Sequence, residues 1–176
     1  MKEAFEPVLY DCEASDLDGC IIEVAWAYVD PSDLHIESRS FLVRPVPEWE
    51  IEANGDESAE ALHGISFFDL YAKGVSVEAI AKSMNDALAG RELFSDSPFD
   101  EAWLAQLFEA AGSDPSVTIR RTSADRLLEQ AVLAHKFESH RYLHALSQAE
   151  QNRQHRAHAD ALQWARLWRM VVHNHL

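Results

Sequence analysis

The sequence predicts an α/β protein built on a mixed sheet, with its first three strands antiparallel, its later strands parallel, and helices flanking both. Two observations carry this. Strand-like segments at 7–12, 21–30 and 37–45 follow one another through short polar turns, as an antiparallel meander does. Beyond residue 57 the apolar spacing becomes helical, and two further strand-like runs lie between helices; such crossover connections join parallel strands.

Each element has a local reason. PVLYDC (7–12) is a brief apolar run that stops at acidic residues, and the polar loop ASDLDG follows it. IIEVAWAYVD (21–30) is rich in β-branched and aromatic residues, PSDLH turns the chain, and ESRSFLVRP (37–45) alternates until Pro45 and Pro47 stop it. The segment 46–60 is acidic and irregular. ESAEALHGI (57–65) reads as a short helix closed by Gly64. SVEAIAKSMNDALA (76–89) is amphipathic, with Ser76 as its N-cap and Gly90 beyond its end. RELFSDS (91–97) is a short strand, PFDEAWLAQLFEAAG (98–112) a helix between Pro98 and Gly112, and VTIR (117–120) a last strand. Helices fill roughly 122–135, 137–150 and 156–172, where Trp164 and Trp168, four apart, belong to the core. Without repeats, low-complexity tracts or an interdomain linker, residues 1–176 are expected to form a single domain.

A chain of 176 residues with 47% hydrophobic residues can bury one sizeable core and is not composed like a disordered one. No apolar run approaches the roughly 18–20 residues of a membrane span. MKEAFEPVLYDCE offers no signal-peptide core, and Cys12 and Cys20 are too few for a disulfide framework, so a reducing, cytoplasmic location is expected. The net charge is −15 and unevenly spread: residues 1–100 hold 22 acidic and 6 basic side chains, residues 101–176 hold 8 and 9. An acidic surface repels phosphate backbones and argues against extended duplex binding. It does not exclude a nucleic-acid enzyme, because carboxylates loaded with divalent cations invert their local field.

Asp11 and Glu13 are two apart at the end of a buried strand and so project to one side. Paired carboxylates in apolar surroundings repel and are desolvated, and a divalent cation relieves both penalties; oxygen ligands select Mg²⁺ or Mn²⁺. A solvated acidic pair at a strand end is the plainer reading of the same spacing. Asp100 and Asp160 stand where helices begin, which also has a plain reading, since the positive end of a helix favours acids in its first turn.

In order along the chain stand "LYDCEASDLDGCIIEVAWAYVD", "LHGIS", "LFSDSPFDEAWLAQLF" and "HRAHADAL". With these the sequence resembles the DEDDh family of 3′–5′ exonucleases, which share a ribonuclease-H-like fold on a five-stranded sheet. In that family a D-x-E closes the first strand, an Ile-Glu segment starts the second, His-Gly-Ile precedes the middle helices, Phe-Asp opens the next helix and His-x4-Asp opens the last. All five occur here in order across roughly residues 7–170; the ordered set is specific where each motif alone is weak. The resemblance implies that Asp11, Glu13 and Asp160 hold the ion that presents the attacking water. It implies that Asp11 with Asp100 holds a second ion at the leaving 3′ oxygen, and that His155 is the general base. Two cations about 3.5–4 Å apart suit an in-line phosphoryl displacement, and an imidazole suits proton abstraction near neutral pH.

The resemblance further implies a terminal-nucleotide pocket at His63, Gly64 and Ile65, with Phe67 or Phe68 available for base stacking; a helix C-cap explains Gly64 equally well, and core packing explains the phenylalanines. Expected partners are single-stranded 3′ ends or short oligonucleotides and no membrane; the oligomeric state is open from sequence, a homodimer being what related exonucleases often form. The sequence departs from the family in two places. Ser95, Asp96 and Ser97 replace the usual His-Asn-Ala, and 135–153 lacks the short glycine-containing loop, reading as one helix. Arg120, Arg121 and Arg126 are open to phosphate contact or to pairing with surface acids, and His135, His140 and His144 read as a surface cluster rather than a zinc site. His173 and His175 are expected to fray. Beside the exonuclease stand a catalytically silent ribonuclease-H-like module with an acidic protein interface, and an acidic nucleic-acid mimic.

Overall fold

The computed structural model describes residues 5–49 and 57–174. Strands β1 (Val8–Ala14), β2 (Ile21–Val29), β3 (Ile36–Leu42), β4 (Glu92–Phe94) and β5 (Thr118–Ile119) form one sheet in the order β3-β2-β1-β4-β5. The β1/β2 and β2/β3 pairs are antiparallel, and β1/β4 and β4/β5 are parallel. Helices α1 (Glu57–His63), α2 (Phe67–Lys73), α3 (Val77–Leu88), α4 (Asp100–Ala110), α5 (Ala124–Ala134), α6 (Ser139–Gln151) and α7 (Ala157–His173) complete the described elements, with a 3₁₀ turn at Pro47–Trp49. The mixed five-stranded sheet agrees with the sequence reading.

Strand parity decides where the core and the site lie. Leu9 on β1, Ala25, Ala27 and Val29 on β2 and Phe94 on β4 face α5, α6 and α7, where they meet Leu128, Tyr142, Trp164, Leu167 and Trp168. The alternate residues Val8, Tyr10, Cys12, Val24, Trp26 and Leu93 face α3 and α4 and pack on Ile80, Met84, Leu104 and Leu107. Helices therefore cover both faces, which is why β2 reads as a nearly unbroken apolar run. A smaller cluster of Cys20, Ile22, Ile65 and Leu70 closes the end of the sheet beneath α2. The residues left over from this packing are informative. Asp11, Glu13 and Glu23 share the parity of Leu9 and Ala25, so three acids point toward α7 from within the sheet.

Several expectations need amending. Residues 67–73, unassigned from sequence, form α2. Ser66 caps it by accepting from the Asp69 N–H, while the Ser66 hydroxyl donates to the Asp69 carboxylate. The segment 135–153 is not one helix: a turn with Lys136 at φ 53° precedes α6, and a glycine-free linker, 152–156, separates α6 from α7. His173 does not fray but lies inside α7, its Nε2 2.8 Å from Glu6 Oε1. His175, like residues 50–56 of the acidic segment 46–60, lies outside the described residues. No helix of the described residues is long and apolar enough to cross a membrane.

Candidate active site

The C-terminal ends of β1 and β4 point the same way because these strands are parallel, and α4 and α7 begin beside them. That brings together acids separated by about 150 residues of sequence. One oxygen from each of Asp11, Glu13 and Asp160 lies within 4.8 Å of the others, and the same holds for Asp11, Asp96 and Asp100. Asp11 belongs to both groups. The β1/β2 register shifts between Glu13 and Ala14, where β2 carries one extra residue, Ile22, beside the acids; bulges recur next to functional sites. Asp96, which the sequence placed next to the motif, is thus drawn into the second group.

These carboxylates are held against their electrostatic preference. Asp100 is fully buried as the first residue of α4, and neither of its oxygens has a hydrogen-bond partner; the neighbouring Ser95 hydroxyl donates to the Ser97 carbonyl instead. Burial, then the charge of Asp96, push its carboxyl up to about 8. Burial and the surrounding acids, Asp100 foremost, raise Asp11 well above the usual carboxylate range. Glu13 is pushed up to about 7 by burial and by Asp160 and Glu23, against the pull of Arg153 and Arg156. Asp160 is raised by burial while Arg153 opposes the shift. Such an oxygen-only set, desolvated and mutually repelling, fits hard divalent cations, so Asp11, Glu13, Asp96, Asp100 and Asp160 can hold metal ions.

Two salt-bridged arginines organise the rim, and the sequence reading identified neither. Glu23 lies directly across the β1/β2 ladder from Glu13 and is almost completely buried. Arg156 donates to it from Nε at 2.9 Å and Nη2 at 3.1 Å, and the Ala157 N–H, the first of α7, donates at 3.1 Å. This clamp fixes the start of α7, three residues before Asp160. The available signal was a glutamate inside an apolar strand, on the same face as Asp11. Arg153, in the linker before α7, donates from Nε to Asp160 Oδ2 and approaches Asp96 Oδ2 with Nη2, both at 3.2 Å.

His155 lies in the same linker with φ 49° and is half-buried. It is outside both carboxylate groups but close enough to Asp160 to interact with it electrostatically. The left-handed conformation that glycine usually supplies is here adopted by His155 itself. His63, at the end of α1 where Gly64 takes φ 68°, is buried. Its Nδ1 accepts from the Ile65 N–H at 3.0 Å while Nε2 has no partner, and burial lowers its pKa. The ring is therefore neutral with Nε2–H as a free donor. Around it lie Ser15, two residues beyond Glu13, with Ile65 and Phe67. Phe67 packs on the cluster beneath α2, whereas Phe68 is 77% exposed. Arg120 and Arg126 pair with Glu92 and Glu129, the plainer of the two readings of that group. Beside Asp160 a groove of about 490 Å³ is lined by Arg153, Arg156, His158 and Arg166, a basic wall on a strongly acidic molecule.

No protein-family model and no curated protein sequence matches this chain. Solved structures do. Exonuclease I from Methylocaldum szegediense superposes with a TM-score of 0.63 at 15% identity, over 94% of this chain and 40% of that one. Exonuclease X, solved in complex with 5′ overhanging duplex DNA, superposes with a TM-score of 0.55 at 17% identity, over 95% of this chain and 91% of that one. This chain thus spans less than half of the exonuclease I chain and nearly all of the exonuclease X chain. With sheet order, strand directions and these superpositions in agreement, the chain has a ribonuclease-H-like fold, shared with these two exonucleases.

Proposed function

We propose that this chain is a metal-dependent 3′–5′ exonuclease, acting as one unit on the 3′ ends of single-stranded DNA or RNA or of short oligonucleotides and releasing nucleoside 5′-monophosphates. The observation that carries the reading is the pair of carboxylate groups sharing Asp11, with Asp100 buried and unpartnered within one of them. In this reading Asp11, Glu13 and Asp160 hold one Mg²⁺ or Mn²⁺, and Asp11 with Asp100 holds the second. When bound, the ions supply a nucleophile at neutral pH and charge stabilisation at the leaving oxygen.

The protein supplies orientation and proton transfer. His155 takes the proton of the attacking water, and the charge of Asp160 beside it stabilises the imidazolium that results. Its place in a linker between two helices allows the ring to move over a substrate phosphate. The free Nε2–H of His63 and the ring of Phe67 receive the terminal nucleotide at the other rim, and the basic groove of Arg156, His158 and Arg166 takes phosphates further along the strand. A silent interaction module would have no use for five desolvated carboxylates held together at a cost to stability.

Two substitutions test this reading. His155→Ala is expected to keep Mn²⁺ binding and the fold while lowering turnover roughly 10²–10⁴-fold. Asp160→Ala is expected to lose Mn²⁺ affinity and turnover together. Full activity in His155→Ala overturns the assignment of the base, and undiminished Mn²⁺ binding in Asp160→Ala overturns the assignment of the metal centre.

A further inference from the structure

The linker 152–156 brings one cation into contact with both carboxylate groups. Arg153 donates from Nε to Asp160, of the Asp11/Glu13/Asp160 group, and approaches Asp96, of the Asp11/Asp96/Asp100 group, with Nη2. Both distances are 3.2 Å. The second oxygen of Asp96 is buried and has no partner, as are both oxygens of Asp100. One guanidinium therefore contacts both groups at once, on two carboxylates that divalent ions would use. A guanidinium and a divalent cation on the same carboxylate repel each other, so occupancy by one disfavours the other.

We propose that Arg153 is a latch that divalent ions displace: without metal it ties Asp96 to Asp160, and on metal binding it leaves both, which frees Asp96 to join Asp11 and Asp100 around the second ion. The inference rests on the metal-centre reading above. Its consequence reaches His155, two residues along the same linker. While Arg153 is held, the linker is tied across the mouth of the site. Once the ions take the carboxylates, the Arg156–Glu23 clamp at one end and the bonds of Asn152 and Arg153 to α6 at the other still anchor it, and the segment with His155 between them gains freedom to close over a substrate. Metal loading and placement of the histidine are thereby coupled through one side chain, and Arg153 acts as a positioning residue.

The test is Mn²⁺ titration by calorimetry of the wild-type protein, Arg153→Gln and Arg153→Lys, with amide hydrogen exchange of residues 152–156 in the wild type with and without Mn²⁺. Removing a charge-assisted competitor is expected to tighten Mn²⁺ binding about tenfold in Arg153→Gln. Arg153→Lys, which keeps the charge but not the two-carboxylate fork, is expected to fall between the two. Exchange at residues 153–155 is expected to speed up when Mn²⁺ is added to the wild type. Equal or weaker Mn²⁺ binding by Arg153→Gln, or slower linker exchange with Mn²⁺, overturns the latch alone. Failure of the wild type and both variants to bind Mn²⁺ overturns the metal centre and the latch with it.

Discussion

Asp100 begins a helix, is completely buried, and accepts no hydrogen bond. A carboxylate in such a place is stable only as the neutral acid or beside a cation. Its pKa stands at about 8 against 3.8 for the free side chain, and that of Glu13 at about 7 against 4.5. Folded-state values raised above the unfolded ones mean that the native state binds more protons over the interval between them, so stability falls as pH rises. Without divalent ions the protein is therefore expected to hold this contribution fully below about pH 4 and to lose it as pH rises through 7–8. Thermal unfolding in EDTA between pH 5 and 9 measures the loss, and added Mn²⁺ is expected to abolish it. Asp100→Asn is expected to flatten the same profile and to diminish the gain from Mn²⁺. At this scale Asp11, Glu13, Asp100 and Asp160 were legible because their motifs occur in a fixed order. Arg153 and Glu23 were not, since an arginine in a polar linker and a glutamate in a strand acquire meaning only when the fold supplies their partners.

Among the elements, α7 carries the site, and its register depends on its first turn. Glu23 receives both the Arg156 guanidinium and the Ala157 N–H, joining the start of α7 to the middle strand of the antiparallel half. Glu23→Ala removes charge-assisted bonds from a buried position and is expected to cost about 2 kcal/mol in urea unfolding. It is also expected to weaken Mn²⁺ binding through Asp160, although Glu23 is in neither carboxylate group; calorimetric titration distinguishes this from stability loss alone. The strands and the longer helices were readable from spacing and caps, with Ser76 closing the N-terminus of α3 as its position suggested. The linker 152–156 was readable only as the gap between helices expected at 137–150 and 156–172, not in its backbone conformation. The sequence signal for a helix break is glycine or proline, and here His155 at φ 49° and the loss of an amphipathic stripe accomplish the break without either. For α2 the length was the obstacle. Seven residues give too few turns for a periodic pattern, and only the Ser66–Asp69 capping pair marked its start.

At the scale of the whole molecule the charge is opposed to the proposed substrate. A net −15 repels a phosphate backbone, and the arginines that line the groove beside Asp160 (Arg153, Arg156 and Arg166), together with a metal-loaded centre, would offset that locally. The same architecture that gave a legible fold explains this arrangement: parity turns Asp11, Glu13 and Glu23 toward α7, and α7 and the linker before it return the basic residues to that face. A substrate approaching such a molecule is expected to be short and single-stranded, and to depend on divalent ions for its attraction as well as for its cleavage. One measurement tests this most directly. Two copies of a single-stranded oligonucleotide, one labelled at the 5′ end and one at the 3′ end, are incubated with the pure protein in Mn²⁺, Mg²⁺ or EDTA. The account predicts a ladder of stepwise shortening from the 5′-labelled copy, immediate release of labelled mononucleotide from the 3′-labelled copy, and neither in EDTA. An intact oligonucleotide with either ion, equal cleavage in EDTA, or release of mononucleotide from the 5′ end instead would contradict it.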